Sequence, residues 1–206
     1  MIKEIIKDDS KLKQVCEPCD SVKEGEEIAT HLLDTLNSSG NGIGLAANQI
    51  GINKRVCVVN VIEPLVFINP RITAKEQEVG GIPEGCLSYP NKVVKTKRWQ
   101  MITVEADNWE EPVVFGPSSD DEETAQDEFL ECVCVQHEID HLDGVTMHER
   151  RYAPEPIVKG VNAPLKIGRN QKIEITNGTE TKTIKWKKAE PMLSEGWTVV
   201  EESLNV

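Results

Sequence analysis

The sequence lacks long apolar segments and is poor in aromatic side chains, which make up 4 % of its 206 residues. A membrane-spanning helix needs about 20 mostly apolar residues, and no run of that kind occurs, so we expect no membrane partner. The first residues, Met1-Ile2-Lys3-Glu4, also lack the apolar core of a secretion signal. These absences predict a cytoplasmic protein.

Basic residues are outnumbered, with 23 Lys and Arg against 35 Asp and Glu and a net charge of -12. Nucleic-acid binding depends strongly on positive charge, so we expect no specific nucleic-acid partner. The charge is uneven, because the acidic residues concentrate between 105 and 128 and the basic ones between 151 and 190.

Six cysteines are present, and in a chain of this kind we expect reduced thiols rather than disulfides. The Cys16-Glu17-Pro18-Cys19 spacing invites a redox or second-metal interpretation. No strand-helix-strand pattern surrounds it, and Cys132-Val133-Cys134 has the wrong spacing for a zinc ribbon. We therefore assign no function to these pairs.

Histidine is scarce, yet two of the four fall in His137-Glu138-Ile139-Asp140-His141. Histidines four residues apart share one helix face and can bind one divalent metal, and the intervening glutamate can act as a general base. The alternative is a solvated helix with two unrelated histidines. We favour the metal site.

Catalytic sites of this type use a third protein ligand and keep one position for water. One protease class takes that ligand downstream, in the pattern His-Glu-x-x-His-x-x-Gly-x-x-His. The chain matches the pattern as far as Gly144, but the required histidine position is Met147, and His148 comes one residue late. This near miss weakens the metalloprotease interpretation and leaves it as an alternative.

A thiolate is the other candidate for the third ligand, because it binds zinc or ferrous iron strongly. Cys86 stands in Pro83-Glu84-Gly85-Cys86-Leu87-Ser88. The preceding glycine would let the backbone approach an ion closely.

Three segments together resemble the peptide deformylase family, and they are Gly42–Gln49 (GIGLAANQ), Glu84–Ser88 (EGCLS) and Gln136–Leu142 (QHEIDHL). The resemblance covers residues 1 to about 150. It implies an α+β fold with antiparallel or mixed β-sheets around a central helix that carries the His-Glu-x-x-His motif. It also implies a metal held by Cys86, His137 and His141.

The activity implied by the resemblance is removal of the formyl group from the N-terminal formyl-methionine of new polypeptides. A bound divalent metal lowers the pKa of its water from about 15.7 to near 7, so that metal-bound hydroxide can attack with Glu138 as general base and acid. The resulting oxyanion needs donors. The side-chain amide of Gln49 and the main-chain N–H of Leu87 are the candidates.

Helical spacing places Leu130, Val133 and Cys134 on the face of His137, as an apolar wall suited to a methionine side chain. These three can also be plain core residues. The resemblance adds substrate-binding candidates from the two other motifs, which are Ile43, Gly44, Glu84 and Gly85. Arg98 is a further, weaker candidate for a substrate contact.

One divalent ion is expected, but a thiolate–histidine site accepts several metals. Affinity order alone favours zinc over iron. The resemblance implies ferrous iron as the native ion, with zinc or nickel found in some preparations.

The sequence predicts a catalytic domain over residues 1–155, with an acidic insertion near 116–127 and the metal helix over 128–142. Within that helix Cys134 should face inward and Cys132 outward. Residues 156–206 form a small β-rich extension. Its expected strands are 172–176, 181–187 (Ile184 and Trp186 on one face) and 196–200.

The expected partners are N-formyl-methionyl nascent peptides, with the ribosome nearby. The basic extension could contact ribosomal RNA. Besides the deformylase and the metalloprotease, a third hypothesis is an inactive binding module that retains a structural metal site. The intact set of Gln49, Cys86, His137, Glu138 and His141 argues against it.

Overall fold

The computed structural model describes residues 1–153, 167–193 and 195–200. The chain divides into two compact units, Met1–Tyr152 and Ala153–Val206. The domain boundary expected at residue 155 lies outside the described residues and stays a prediction.

The helices of the described residues are α1 (Asp9–Leu12), α2 (Val22–Ser39), α3 (Glu122–Leu142) and α4 (Trp186–Leu193), with a 3-10 helix at Ala47–Ile50. The strands are β1 (Gly44–Ala46), β2 (Val56–Asn60), β3 (Pro64–Ile68), β4 (Arg71–Glu84), β5 (Val94–Glu105), β6 (Val113–Phe115), β7 (Lys172–Thr176), β8 (Thr181–Lys185) and β9 (Thr198–Val199). None of the described helices is both long and apolar enough to cross a membrane.

The strands form three antiparallel sheets, with strand orders β1-β2-β3, β4-β5-β6 and β8-β7-β9. The first two belong to the first unit, and α3 packs against strands of both. The predicted α+β fold around a motif-bearing helix is confirmed.

Helix α2 carries an apolar stripe at helical spacing, which includes Ile28, Leu32 and Leu36. The side chain of Ser21 caps its first turn by accepting a hydrogen bond from the Glu24 N–H. Its buried residues, Leu32 and Leu36 among them, pack against β2 and β3, and Gly40 ends the helix in the left-handed conformation. The glycine-containing motif therefore starts directly after a fixed helix end.

Helix α3 starts six residues earlier than predicted, at Glu122 rather than at 128. Asp121 caps it by accepting a hydrogen bond from the Thr124 N–H, and acidic residues in the first turn interact favourably with the helix dipole. Part of the acidic segment is therefore helical. Its status as an insertion stays a prediction.

The C-terminal half of α3 is buried on every side, and every residue from Cys132 to Leu142 is buried. The prediction that Cys132 faces outward is wrong, because this thiol lies against the carbonyl groups of Trp99 and Gln100 in β5. Cys134 lies on another side, with its thiol 3.5 Å from the Ile43 carbonyl. A helix enclosed by two sheets has no outward face at this level.

The β4–β5 hairpin is long, with strands of 14 and 12 residues. Its first strand is mostly exposed and polar, and it contains the Gly80-Gly81 pair, so it lacks the apolar alternation that predicts strands. Its second strand runs continuously from Val94 to Glu105, through Arg98.

The described part of the second unit has its own apolar cluster, which includes Ile173, Ile175 and Trp197. The predicted hairpin and the third strand are present. The prediction of a strand up to residue 187 is wrong, because β8 ends at Lys185 and α4 begins at Trp186. The indole ring of Trp186 reaches the same apolar cluster from the helix.

Candidate metal centre and active site

Cys86, His137 and His141 meet in the first unit. One ligand atom from each lies within 4.8 Å of the other two. Cys86 follows the end of β4 by two residues, and the histidines occupy successive turns of α3. Cys86 Sγ lies 3.3 Å from His141 Nε2, and the imidazole centroids are 4.9 Å apart. One thiolate and two imidazoles are a donor set that suits zinc or ferrous iron.

Glu84 orients the first histidine, because its Oε2 lies 2.7 Å from His137 Nδ1. A histidine that uses Nδ1 in this way presents Nε2 to a metal. Burial opposes a charge on His137, but hydrogen bonds with Cys86 and Glu84 outweigh it and raise its pKa to about 10. Surroundings that favour a proton on this ring also favour a metal cation beside it.

The second histidine stays neutral. Burial, followed by the nearby His137 and Arg98, keeps the pKa of His141 well below its usual value. A neutral imidazole is the form that binds a metal.

Glu84 belongs to a network of charges in which Glu84, Arg98 and Asp140 are buried. Its carboxylate accepts hydrogen bonds of 2.6 and 2.8 Å from Arg98 and one from the Thr96 hydroxyl. Arg98 also donates to Asp140, and Arg150 binds the same aspartate through two nitrogens, at 2.9 and 2.6 Å. Arg98 is fully engaged in this network, and its predicted substrate contact stays a prediction. The network was not foreseen from the sequence.

Glu138 lies among these ligands with 4 % of its surface exposed. Burial raises the pKa of its carboxyl group to about 7. Its Oε2 has no hydrogen-bond partner among the described residues. A carboxyl group with a pKa near neutrality is suited to accept and return a proton at physiological pH.

Gln49 is also buried and fixed in orientation. Its Oε1 accepts a hydrogen bond of 2.8 Å from the Ala46 N–H. Its Nε2 lies 3.1 Å from Ser88 Oγ and 3.4 Å from Cys86 Sγ, so the amide donor points at the ligand cluster. Leu87 lies in the bend between these two residues and lines the adjoining cavity.

Sequence reasoning missed Asn48. Its Nδ2 donates to the main-chain carbonyl of His141 at 2.7 Å and to that of Leu12 at 3.3 Å. This side chain thus ties the GIGLAANQ motif to the last turn of α3. A polar residue next to Gln49 was the only signal in the sequence.

A cavity of about 550 Å³ opens beside the cluster. It is lined by all seven residues predicted to bind substrate, which are Ile43, Gly44, Glu84, Gly85, Leu130, Val133 and Cys134. Leu130 and Ile43 are 44 % and 40 % exposed, and Val133 and Cys134 are buried. Glu84 lines the cavity wall, and its carboxylate is engaged in hydrogen bonds with His137 and Arg98. Its predicted substrate contact stays a prediction.

Two glycines of the motifs differ in their surroundings. A side chain at Gly44 would come within 2.5 Å of Glu138 Oε1 and 2.7 Å of Cys134 Sγ. At Gly85 the nearest neighbour would be the Lys92 carbonyl at 3.9 Å. Close approach of protein atoms therefore requires glycine at position 44. The expected approach of the backbone at Gly85 to a bound ion stays a prediction.

The residues considered for a protease-type third ligand or for a redox site do not belong to the group of Cys86, His137 and His141. Met147 is buried in an apolar cluster with Leu12, Tyr89 and Val94, where a protease would need its third histidine. His148 stacks edge-on against Tyr89. Cys16 and Cys19 are free, buried thiols.

A family model and individual known proteins that are similar to this chain agree on one family. The family model described as polypeptide deformylase matches residues 2–156. The peptide deformylase of Rhizobium meliloti is 38 % identical over 148 residues, which cover 68 % of this chain and 79 % of that protein. The peptide deformylase of Natranaerobius thermophilus is 39 % identical over 146 residues, covering 69 % and 87 %.

Solved structures show the same similarity. The class I type b peptide deformylase of Acinetobacter baumannii bound to Met-Ala-Ser aligns with a TM-score of 0.60 and 26 % identity, over 73 % of this chain and 98 % of that one. The peptide deformylase of Synechococcus elongatus in complex with actinonin aligns with a TM-score of 0.59 and 29 % identity, over 73 % and 79 %.

Proposed function

The chain belongs to the polypeptide deformylase family, and we infer that it is a metal-dependent hydrolase that removes the formyl group from the N-terminal formyl-methionine of newly made polypeptides. The observation that carries this inference is the meeting of Cys86, His137 and His141 beside a cavity into which Glu138 also faces.

Cys86, His137 and His141 would hold one divalent ion. When bound, the ion supplies a Lewis acid and lowers the pKa of a water molecule to about 7. We propose ferrous iron as the native ion and expect zinc or nickel to occupy the same ligands in some preparations, because a mixed thiolate and imidazole site accepts all three.

Glu138 acts as the proton carrier. It takes a proton from the attacking water and later delivers it to the nitrogen of the departing amine. Its burial supports this role, because a carboxyl group held near neutrality serves both directions of transfer. A divalent cation nearby would lower its pKa again and favour the base form.

Gln49 and Leu87 stabilise the tetrahedral oxyanion that forms on the formyl carbon. The Gln49 amide is held in place at both ends, by Ala46 and by Ser88, before substrate arrives. The main-chain N–H of Leu87 is the second donor. A fixed donor of this type is worth about 3–4 kcal/mol of barrier.

The cavity accepts the methionine side chain. Val133 and Cys134 provide a buried apolar wall next to the ligands, and Ile43 and Leu130 stand at its more exposed edge. A solved relative is bound to the peptide Met-Ala-Ser, which supports a peptide beginning with methionine as the occupant of this cavity.

The substrate sets the location. N-formyl-methionyl chains occur where proteins begin to be made, so we propose that the enzyme works in the cytoplasm on nascent peptides close to the ribosome. The absence of a membrane-spanning helix among the described residues is compatible with that location.

Formate release from a short formyl-Met peptide, with ferrous iron present and oxygen excluded, tests the proposal. We expect turnover on this peptide and none on the internal bonds of an unblocked peptide. Glu138→Ala should retain the metal and lose turnover. Cleavage of internal bonds would instead support a metalloprotease, and turnover retained by Glu138→Ala would remove Glu138 as the base.

A further inference from the structure

A second cleft of about 330 Å³ lies between α3 and the β4–β5 hairpin. It uses Gln136, Ile139 and Asp140 of α3. The catalytic cavity uses Val133, His137 and other residues on a different face of the same helix. We call this second site the basic cleft, because seven of its fifteen lining residues are Lys or Arg and four are Asp or Glu.

This excess of basic over acidic lining residues is opposite in sign to the net charge of the chain, which is -12. Two of the four acidic residues of the basic cleft, Asp140 and Asp143, are already paired with cations. Asp140 binds both Arg98 and Arg150, and Asp143 binds Arg55 at 2.6 Å.

The other two acidic residues of the basic cleft, Glu78 and Glu149, are paired as well. Glu78 pairs with Lys97 at 3.3 Å, and Glu149 accepts hydrogen bonds from Thr146 and pairs with Lys13 at 3.0 Å. No carboxylate of the cleft is therefore left to neutralise a further cation.

Two cations of the basic cleft have no carboxylate partner among the described residues. Lys75 on β4 and Arg151 beside β5 are exposed, and neither has a carboxylate partner within the part of the chain that the structure describes. Arg71, at the same cleft, binds Glu105 through Nε only, so both terminal nitrogens of its guanidinium are free for another acceptor among the described residues. The cleft thus offers positive charge that the described residues do not neutralise.

The cationic side chains of the basic cleft favour a phosphate group as its ligand. Arginine side chains match the oxygen geometry of a phosphate group, and several cations around one cleft suit a ligand with more than one anionic group. The volume is near the lower end of the range for small-molecule sites, about 300–1,000 Å³. Trp99 adds an aromatic surface to the lining. A long polyanion would meet repulsion from the acidic remainder of the chain.

We propose that the basic cleft binds a small oligophosphate of the nucleoside diphosphate class. The proposal does not depend on the catalytic assignment, because none of the catalytic or metal-binding candidates lines this cleft.

The test is calorimetric titration of the metal-loaded enzyme with pyrophosphate and with ADP, at about 50 mM salt, where screening is weak. We expect saturable binding of both. The double variant Lys75→Glu, Arg151→Glu should weaken it at least about tenfold while formate release stays at the wild-type rate. Oligophosphates also bind divalent ions, but binding to the catalytic metal would be indifferent to residues 75 and 151.

The matched control is Lys172→Glu, Lys185→Glu, which makes the same charge change at a directly paired position of β7 and β8. It should leave the titration unchanged. Equal weakening in the two double variants, no saturable binding by the wild type, or tighter binding of a short oligouridylate than of ADP would each overturn the proposal.

Discussion

Glu84 Oε2 and His137 Nδ1 lie 2.7 Å apart, and the same carboxylate is held by Arg98. A carboxylate that is itself fixed by Arg98 therefore holds the orientation of the metal-binding candidate His137. Burial alone would raise the pKa of Glu84, but hydrogen bonds from Arg98 and His137 outweigh it and hold the pKa at about 2. The group stays ionised and keeps orienting the imidazole.

Glu84→Gln should weaken metal binding. Loss of the carboxylate behind a histidine ligand typically reduces metal affinity about 10–100-fold. The dissociation constant can be measured by competition with a chelator. Glu78→Gln is the control, because Glu78 is on the same strand and, among the described residues, pairs only with the exposed Lys97. Equal dissociation constants for the two variants would show that Glu84 does not support the ligand.

Arg98→Ala should destabilise the fold strongly. The guanidinium and its partners Glu84 and Asp140 are at most 8 % exposed, and its removal leaves Glu84 without its arginine partner and Asp140 with Arg150 as its remaining cation. Breaking such a buried pair costs about 3–5 kcal/mol. Urea unfolding measures the effect. Arg71→Ala, which breaks the exposed pair with Glu105, should cost much less, and similar losses would contradict the account.

Gly44→Ala should reduce kcat without loss of metal. The added methyl group would displace Glu138, and a displacement of this size can cost about a hundredfold in rate. Gly85→Ala has room for its methyl group and should keep the wild-type kcat. Steady-state formate release and metal analysis of both variants check this. A normal kcat in Gly44→Ala would mean that Glu138 is not held where the geometry places it.

Glu149 makes the stability depend on pH. Burial raises its pKa, but hydrogen bonds from Thr146 and Lys13 outweigh burial and lower it from 4.5 to about 2. Because the pKa of the folded state is the lower one, its stabilisation is fully present above about pH 4.5 and is lost as the pH falls towards 2. The difference in unfolding free energy between wild type and Glu149→Gln should therefore shrink between pH 6 and pH 3. A difference that grows over this range would contradict the sign.

The sequence predicted what local patterns determine. Spacing on one helix identified His137, Glu138 and His141, and the three motifs led to Gln49 and Cys86, all of which the fold brings into one place. The network of hydrogen-bonded charges that links Glu84, Arg98, Asp140 and Arg150 could not be foreseen. Its members are far apart in sequence and meet only when β4, β5 and α3 pack together. Asn48 is similar, since its partner His141 is 93 residues away.

The wrong prediction for Cys132 and the missed elements β4 and α4 also reflect the limits of local sequence patterns. Cys132 was placed outside because helical geometry alone gives a helix one inward face, whereas α3 is enclosed by two sheets. Strand β4 was missed because its exposed, polar sequence has no apolar alternation, and pairing with β5 stabilises it instead. Helix α4 was missed because it is short and contains Pro191.

Anomalous scattering from a crystal of the metal-loaded enzyme tests the central claim most directly. We predict a single peak about 2.3 Å from Cys86 Sγ and about 2.0–2.1 Å from one imidazole nitrogen of each of His137 and His141. A crystal in which the Cys86 sulfur points away from the histidines, with the ion bound by other residues, would contradict the account.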